Sequence, residues 1–257
     1  MSGGHSLSVV RGVASRNARG LLKLPAKLLP PILVPLFFFI AFKGAFSALG
    51  DAKGFDYYDF TAFIFVVILY MAGMFSGAFT AIDILVDYES GLGRRLMAAV
   101  PRRMAIVYGY LIVGIARGLV AMAVVWGVVL ATGMPVRGDA PDIAALVLLA
   151  LLLNIAATLF GAGVALRFQS VGAGTLIFIP TFITLFLTPL FAERDSLSAV
   201  LKAAAGVNPL TPPIEAGRGF LADDPVNAGL AFGCAGGLVI AFALWALLGM
   251  RKAERGA

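Results

Sequence analysis

The chain has 257 residues, of which 60% are hydrophobic and only 13% are charged, and its mean hydropathy is +0.96. Soluble globular domains do not reach such values, so the composition predicts a polytopic membrane protein without room for a soluble catalytic domain. The single cysteine, Cys234, and the single histidine, His5, exclude an intrachain disulfide, a zinc–thiolate site and a histidine-based triad. The net charge of +6 is dispersed between apolar runs, which favours membrane orientation over nucleic-acid binding.

Residues 1–28 form a basic amino-terminal segment without an acidic residue. On a helical wheel its cations gather on one side and its apolar residues on another. The cations are Arg16, Arg19, Lys23 and Lys27, and the apolar residues are Val10, Ala14, Leu21, Leu24 and Leu28. This pattern predicts an amphipathic helix on the anionic cytoplasmic leaflet, in contact with membrane lipids. A disordered basic leader is the alternative.

Six apolar runs follow, each long enough to cross about 30 Å of hydrocarbon. They cover residues 29–49, 60–82, 105–132, 143–166, 171–191 and 226–249. Six spans place both termini on one side, where thirteen lysines and arginines fall, against six on the other side. The positive-inside rule therefore predicts cytoplasmic termini in the cytoplasmic membrane. Residues 1–257 are expected to form a single all-α membrane domain.

Between the second and third runs, residues 83–104 carry three carboxylates and four arginines. Leu92, Leu96 and Met97 recur among them at helical spacing. This predicts a short amphipathic helix at the cytoplasmic surface that docks a soluble partner. The alternative is that these basic residues only orient the neighbouring spans.

Three carboxylates in this segment, Asp83, Asp87 and Glu89, are the nearest approach to a catalytic constellation. Such a group can hold Mg²⁺ for a diphosphate substrate, as a membrane-embedded transferase requires. A transferase site also needs a second, facing acidic cluster, and the other cytoplasmic segments offer only Glu254. Ion pairing with the neighbouring arginines is the simpler interpretation, so no metal site is expected. The sequence contains no GxxxxGK[ST] motif, so the chain is not expected to hydrolyse ATP by itself.

Arg117 is the one charged residue inside the third run. A charge at that depth costs several kcal/mol and is a functional candidate by default. Alternatively, the run is long enough for Arg117 to reach towards the cytoplasmic surface, with Asp83 or Glu89 as its ion-pair partner.

An aromatic stripe at helical spacing, Phe178, Phe182 and Phe186, lies in the fifth run. These side chains are candidates to line the path of a hydrophobic substrate. The alternative is that they pack against lipid or another helix. Pairs of small residues four apart permit close helix contact within the chain or between two copies. These are Gly73 with Gly77, Gly114 with Gly118, and Gly229 with Gly233.

Residues 192–225, before the last run, are too long for a simple connection. They contain the amphipathic stretch SLSAVLKAAAG and then NPLTPPIEAGRGFLADDP. We expect two short helices here, an extracytoplasmic hairpin that dips partway into the outer leaflet.

Taken in order, YYDF, DYESGLGRRLMAAVPRR and NPLTPPIEAGRGFL resemble the permease subunit of type-2 ABC exporters, with the daunorubicin-resistance and multidrug branch most similar. The family signature after the second span is matched by Glu89, Gly91, Arg94, Arg95, Pro101 and Arg102. The family's outer signature is matched by Asn208, Pro209, Leu210, Thr211 and Arg218.

The resemblance implies a half-transporter that exports drugs, lipids or glycan conjugates. Two permeases, identical or related, would pair, and two separate ATPase subunits would receive the 89–103 segment and the amino-terminal helix. The chain itself would bind no cofactor, with ATP and Mg²⁺ on the ATPases, and segment 192–225 would shape the outer exit. The alternatives are an ATP-independent carrier or channel, a membrane transferase and a purely structural subunit. A coupled carrier normally has acidic residues inside its spans, and here the runs hold almost none.

Overall fold

The computed structural model describes residues 3–51, 55–100, 103–192 and 194–255. Over these residues the chain forms ten α-helices and no strand. The helices are α1 (Gly3–Lys23), α2 (Leu29–Phe46), α3 (Phe60–Glu89), α4 (Leu92–Ala99), α5 (Met104–Ala131), α6 (Ala140–Phe168), α7 (Thr175–Phe186), α8 (Ala199–Val207), α9 (Thr211–Ala222) and α10 (Ala228–Arg255). Short 3-10 turns cover Pro25–Leu28, Ser47–Asp51, Val171–Gly174 and Arg194–Ser196. The predicted all-α architecture is confirmed for this part of the chain.

Helix α3 is the centre of the bundle. It begins after Asp59, whose carboxylate accepts a hydrogen bond from the backbone N–H of Ala62 at 2.8 Å and so caps the first turn. Its 30 residues extend over about 45 Å. Almost every residue as far as Ala81 is buried, as expected for a helix that is apolar on all sides. Helices α2, α5 and α6 pack around it.

Small residues let α3, α5 and α6 approach closely at one level. A Cβ atom at Gly77 would lie 2.6 Å from the carbonyl oxygen of Asn154, and one at Gly118 would lie 2.7 Å from its Nδ2. Asn154 is completely buried, and its Nδ2 donates to a backbone carbonyl of α3 at 2.7 Å. These glycine pairs therefore serve packing inside the chain. Around Gly229 and Gly233 of α10, the described part of the chain places no atom within 4 Å of an added Cβ.

Within the described residues, five helices are long and apolar enough to cross a membrane. They are Pro25–Phe46, Phe60–Glu89, Met104–Ala131, Ala140–Phe168 and Ala228–Glu254. The predicted run 171–191 differs, because it is helical only over Val171–Phe186, about 24 Å. The helix ends before Pro189, so this run is shorter than the others. Five of the six predicted runs therefore form helices that could cross a membrane, and six spans stay a prediction.

The bundle has two chemically different ends. The charged end contains α1, α4, the first turn of α5 and the last turns of α3, α6 and α10. The opposite end contains residues 47–51, 55–59, 132–139, 187–192 and 194–227. At the charged end, Arg16 of α1 pairs with Asp87, and Glu254 of α10 pairs with Arg103, 3.6 Å between Nη1 and Oε1. The first and last helices therefore end on the same side of the bundle.

Residues 171–190 pass from the charged end to the opposite end, although only part of this segment is helical. The backbone N–H of Val171 donates to Glu89 at 2.7 Å at the charged end. The carbonyl of Leu190 accepts from Arg218 at 3.2 Å at the opposite end. The segment thus returns the chain to the end where α10 begins.

The segment 192–225 contains two short helices, α8 and α9, as expected from the sequence. Helix α8 is largely exposed, with Val200 80% and Val207 86% accessible. Helix α9 is buried along most of its length and packs against α3, α6 and α10. The second half of the predicted hairpin is therefore part of the bundle itself.

Candidate functional site at the charged end

Asp83 links three helical segments through two ion pairs. Its Oδ2 accepts from Nη2 of Arg117 at 2.6 Å, and its Oδ1 accepts from Nζ of Lys27 at 3.0 Å. Arg117 also donates to the hydroxyl of Thr80 at 3.3 Å and is only 2% exposed. Arg117 is thus buried inside the bundle, with Asp83 as its counter-charge. Of the two predicted partners, Asp83 is the one that Arg117 contacts.

One turn later on the same face of α3, Asp87 anchors the amino-terminal helix. It accepts from Nη1 of Arg16 at 3.1 Å and makes further contacts with Nη2 of Arg16 and the hydroxyl of Tyr110. Nη2 of Arg16 also donates to the Tyr110 hydroxyl at 3.1 Å. The hydrogen bond to Asp87 raises the pKa of the Arg16 guanidinium, so this group stays positively charged. Because Asp83 and Asp87 are four residues apart, both carboxylates face α5 and the amino-terminal segment that contains α1 and Lys27.

Helix α1 also packs closely on α5 through apolar contacts. Val13 is only 4% exposed, and a Cβ atom at Gly109 would lie 2.6 Å from its Cβ. The predicted amphipathic helix is therefore present and docked on the bundle. Leu24, which the helical wheel placed on the apolar side, is 53% exposed beyond the end of the helix.

The chain turns sharply where α3 ends and α4 begins. Gly91 has φ +79°, a left-handed conformation that a residue with a side chain adopts at a cost. Two residues later, Gly93 lies under the ring of Tyr88, since an added Cβ would be 2.7 Å from the ring Cγ. The carboxylate of Glu89 accepts a hydrogen bond from the backbone N–H of Val171. Its carboxylate thus holds the start of the Val171–Gly174 turn.

Helix α4 is the short amphipathic helix that the sequence predicts. Gly93 and Met97 are buried, whereas Arg94 and Arg95 are exposed on the opposite face. The helix is also tied at its far end, because Nε of Arg103 donates to the carbonyl of Met97 at 3.1 Å. An exposed pair of cations thus projects from a helix that is fixed at both ends. The predicted coupling residues Pro101 and Arg102 lie outside the described residues.

At the opposite end, the predicted outer motif forms a buried framework. The side chain of Asn208 donates to the carbonyl of Thr184 at 2.6 Å and accepts from the backbone N–H of Leu210 at 3.0 Å. Arg218 is 6% exposed, and its Nε donates to the carbonyl of Phe63 at 3.1 Å. Its guanidinium carbon also lies 3.4 Å from the centre of the Phe63 ring. These contacts join α9 to the start of α3 and to the end of α7.

Two tyrosines before α3 complete this framework. The hydroxyl of Tyr57 donates to the carbonyl of Arg218 at 2.8 Å, and that of Tyr58 donates to the carbonyl of Leu221 at 3.1 Å. Burial raises the pKa of Tyr57 and of Tyr58, so both hydroxyls remain donors. Arg137 stacks on Tyr58 at 4.3 Å from the ring centre. The YYDF stretch thus serves to fasten α9.

The family model described as ABC-2 type transporter matches residues 9–221, well over half of the chain. The chain belongs to the ABC-2 type transporter family. It is a multi-pass permease subunit of a type-2 ABC transporter, a class that generally works with ABC ATPase subunits. No curated protein matches the chain. The daunorubicin and multidrug branch remains a prediction.

The aromatic stripe of the permease packs largely inside the bundle. Phe178 and Phe182 lie 4.9 Å and 4.8 Å, between ring centres, from Phe79 and Phe75 of α3. Phe186 is 37% exposed and contacts an aromatic ring of α2. The stripe therefore holds α7 against α2 and α3, and its role in a substrate path stays a prediction.

A mainly apolar cavity of about 210 Å³ lies beside this stripe in the permease, between α3, α6, α7 and α10. Phe160, Pro180, Leu238 and Phe242 are among the residues that line it. Pro209 of the outer motif also contributes, whereas the three residues of the aromatic stripe do not. The cavity has the size and chemistry of a small hydrophobic group.

Several structural residues of the permease were not singled out from the sequence. Tyr110 completes the Asp87 cluster, and Asn154 joins α6 to α3. Asn154 could have been singled out from the sequence, because it is a polar residue inside the apolar run 143–166. Tyr110 could not, since tyrosines near the membrane surface are common in membrane-spanning helices.

Proposed function

We propose that the permease exports a hydrophobic or amphipathic cargo across the cytoplasmic membrane, using ATP hydrolysed by two separate ATPase subunits. A second permease, identical or related, completes the transporter. Both termini and the charged end face the cytoplasm, and the polypeptide passes through the membrane six times. The prevalence of lysine and arginine at the charged end supports this orientation.

The observation that carries the proposal is the way α4 is attached to the central helix. Arg94 and Arg95 are exposed, while the buried face of the same helix is fixed against Tyr88 of α3. An ATPase that binds these arginines would move α4 and α3 together, because Gly91 leaves only a tight turn between them. Domain closure in the ATPase would thus become a rigid shift of the bundle core.

Within this proposal, the coupling residues have different tasks. Arg94 and Arg95 contact the ATPase, and Gly91 sets the direction of α4. Glu89 acts as a positioning residue, because its carboxylate is occupied by the backbone N–H of Val171 at 2.7 Å. Helix α1 forms the second contact surface, held by the Arg16 and Asp87 pair.

The apolar cavity beside α7 and the phenylalanines of α2 and α7 support a hydrophobic cargo. The cavity lining contains threonine hydroxyls but no charged side chain. A polar cargo would lose its hydration there without gaining comparable hydrogen bonds. The carboxylates that a Mg²⁺-dependent transferase would need, Asp83 and Asp87, are engaged with cations.

The test is the combined Arg94→Glu and Arg95→Glu variant, expressed with its ATPase subunit. We expect the ATPase to be lost on purification in mild detergent, and ATP-dependent uptake of a lipophilic dye into inside-out vesicles to stop. Arg137→Glu, an exposed arginine at the opposite end, is the matched control and should retain both. Full ATPase binding and uptake in the double variant would refute the docking role. Dye uptake that follows an ion gradient without any ATPase would favour the carrier instead.

A further inference from the structure

A long apolar groove runs between α1 and α5 at the charged end. Its volume is about 630 Å³, and apolar atoms provide almost all of its surface. Large hydrophobic side chains on both walls remain exposed, including Leu7 at 71% and Leu22 at 81% on α1, and Ile112 at 50% and Val120 at 46% on α5. Although α1 is docked by Val13 and Arg16, the two helices leave this surface uncovered. Such a surface is favourable only in contact with apolar groups, and for a helix of a membrane protein these are the acyl chains of lipids or another apolar segment.

The groove is apolar inside and basic at its rim. Arg11 is exposed and contributes to the lining, and α1 carries further cations but no acidic residue. Arg117 also borders the groove, and its Nε is buried without a hydrogen-bond partner among the described residues. Asp83 neutralises one charge of the Arg117 and Lys27 pair, which leaves this level of the bundle with net positive charge.

We infer that this groove binds one anionic phospholipid of the inner leaflet. One acyl chain lies between α1 and α5, and the phosphate contacts Arg11 at the rim. The apolar walls match a hydrocarbon chain, and the unbalanced positive charge matches an anionic headgroup. A second copy of the chain would bring the same basic helix to this surface, so charge complementarity favours the lipid.

The site has a physical role in holding α1. Helix α1 packs on α5 around Val13, and the groove lies beside this contact. A bound acyl chain would fill this space and stabilise the docked helix. The lipid would therefore be a structural ligand, distinct from the exported cargo.

The test uses the full chain, purified in mild detergent and analysed by native mass spectrometry with added phosphatidylglycerol or phosphatidylcholine. We expect one retained phosphatidylglycerol per chain, in preference to phosphatidylcholine. Ala116→Trp, which fills the groove from α5, should lower its occupancy by about tenfold or more, because excluding two methylenes costs that much. Ile240→Trp, at an exposed position of α10, is the matched control and should retain the lipid.

Two further variants test the site in case Ala116→Trp does not fold. Ala14→Leu fills the groove from α1 with a smaller change and should also lower occupancy. Arg11→Gln should remove the preference for phosphatidylglycerol over phosphatidylcholine while a lipid is still retained. Equal retention of both lipids by the wild-type chain would overturn the inference, as would equal lipid loss in Ile240→Trp. A change in oligomeric state in Ala116→Trp without lipid loss would show that a second copy covers the groove.

Discussion

Asp83 of α3 and Arg117 of α5 form an ion pair inside the helical bundle, with 2.6 Å between Oδ2 and Nη2 and only 2% of Arg117 exposed. Removing the carboxylate leaves a buried cation without its counter-charge. We therefore expect Asp83→Asn to lower the free energy of unfolding by about 3 kcal/mol, measured by denaturant titration in detergent micelles.

Replacing both charged residues with apolar ones should distinguish the effect of an unpaired buried charge from the effect of lost packing. In the combined Asp83→Leu and Arg117→Leu variant, most of the stability should return, because no buried charge remains. Glu254→Gln removes a half-exposed pair with Arg103 and should change stability by less than about 1 kcal/mol. A double variant no more stable than Asp83→Asn would contradict the explanation by charge.

Asp87 is expected to control the release of α1 from the bundle. Asp87→Asn should increase trypsin cleavage after Arg11 and Arg19 by about fivefold, because a partly exposed, charge-assisted contact contributes about 1 kcal/mol. Tyr110→Phe should act in the same direction with a smaller effect, since it removes only the hydroxyl. Timed digestion followed by peptide mass analysis provides the rates. If Glu254→Gln accelerated these cleavages equally, the Asp87 cluster would not be the anchor.

The turn at Gly91 should be sensitive to any side chain that resists a left-handed backbone. Gly91→Ala places a Cβ at φ +79° and should cost about 1–2 kcal/mol, with reduced ATPase coupling as α4 changes direction. Gly91→Asn should retain more coupling, because asparagine tolerates this conformation. The ratio of transported dye to hydrolysed ATP reports the effect. Gly127→Ala, in an open position of α5, should leave this ratio unchanged.

Arg218 is expected to need its planar, forked side chain. Arg218→Lys should destabilise the permease by about 2 kcal/mol, because one ammonium group cannot replace donors to the carbonyls of Phe63 and Leu190 together. Thermal unfolding monitored by tryptophan fluorescence measures the change. Arg137→Lys retains a cation over the ring of Tyr58 and should have little effect. Unchanged stability in Arg218→Lys would mean that charge alone matters at Arg218.

The sequence predicts the charged end well where local periodicity determines the structure. The spacing of Leu92, Leu96 and Met97 is sufficient to predict helix α4. The clustering of cations on one side of a helical wheel is sufficient to predict helix α1. The sequence could not choose between Asp83 and Glu89 as the partner of Arg117, since both lie near the charged end of α3. Glu89 instead accepts a hydrogen bond from the backbone N–H of Val171, a residue that is distant in the sequence.

The opposite end was predicted as a motif but not as a set of contacts. Asn208 and Arg218 were matched to the outer signature of the family, and each donates to backbone carbonyls from distant segments. Such contacts depend on tertiary packing, which periodicity and composition do not encode. The shortness of α7 has a similar cause, because the apolar run continues to residue 191 while the helix ends at Phe186.

The early end of α7 has a consequence for how the protein is assembled in the membrane. The backbone N–H of Thr188 donates to Leu185, so the carbonyl of Thr184 lacks its helical donor and receives one from Asn208. The carbonyl of Leu190 likewise depends on Arg218. These two carbonyls therefore obtain their side-chain donors only after the chain has been synthesised as far as Asn208 and Arg218. The folding of this part of the chain is completed by residues that are synthesised later.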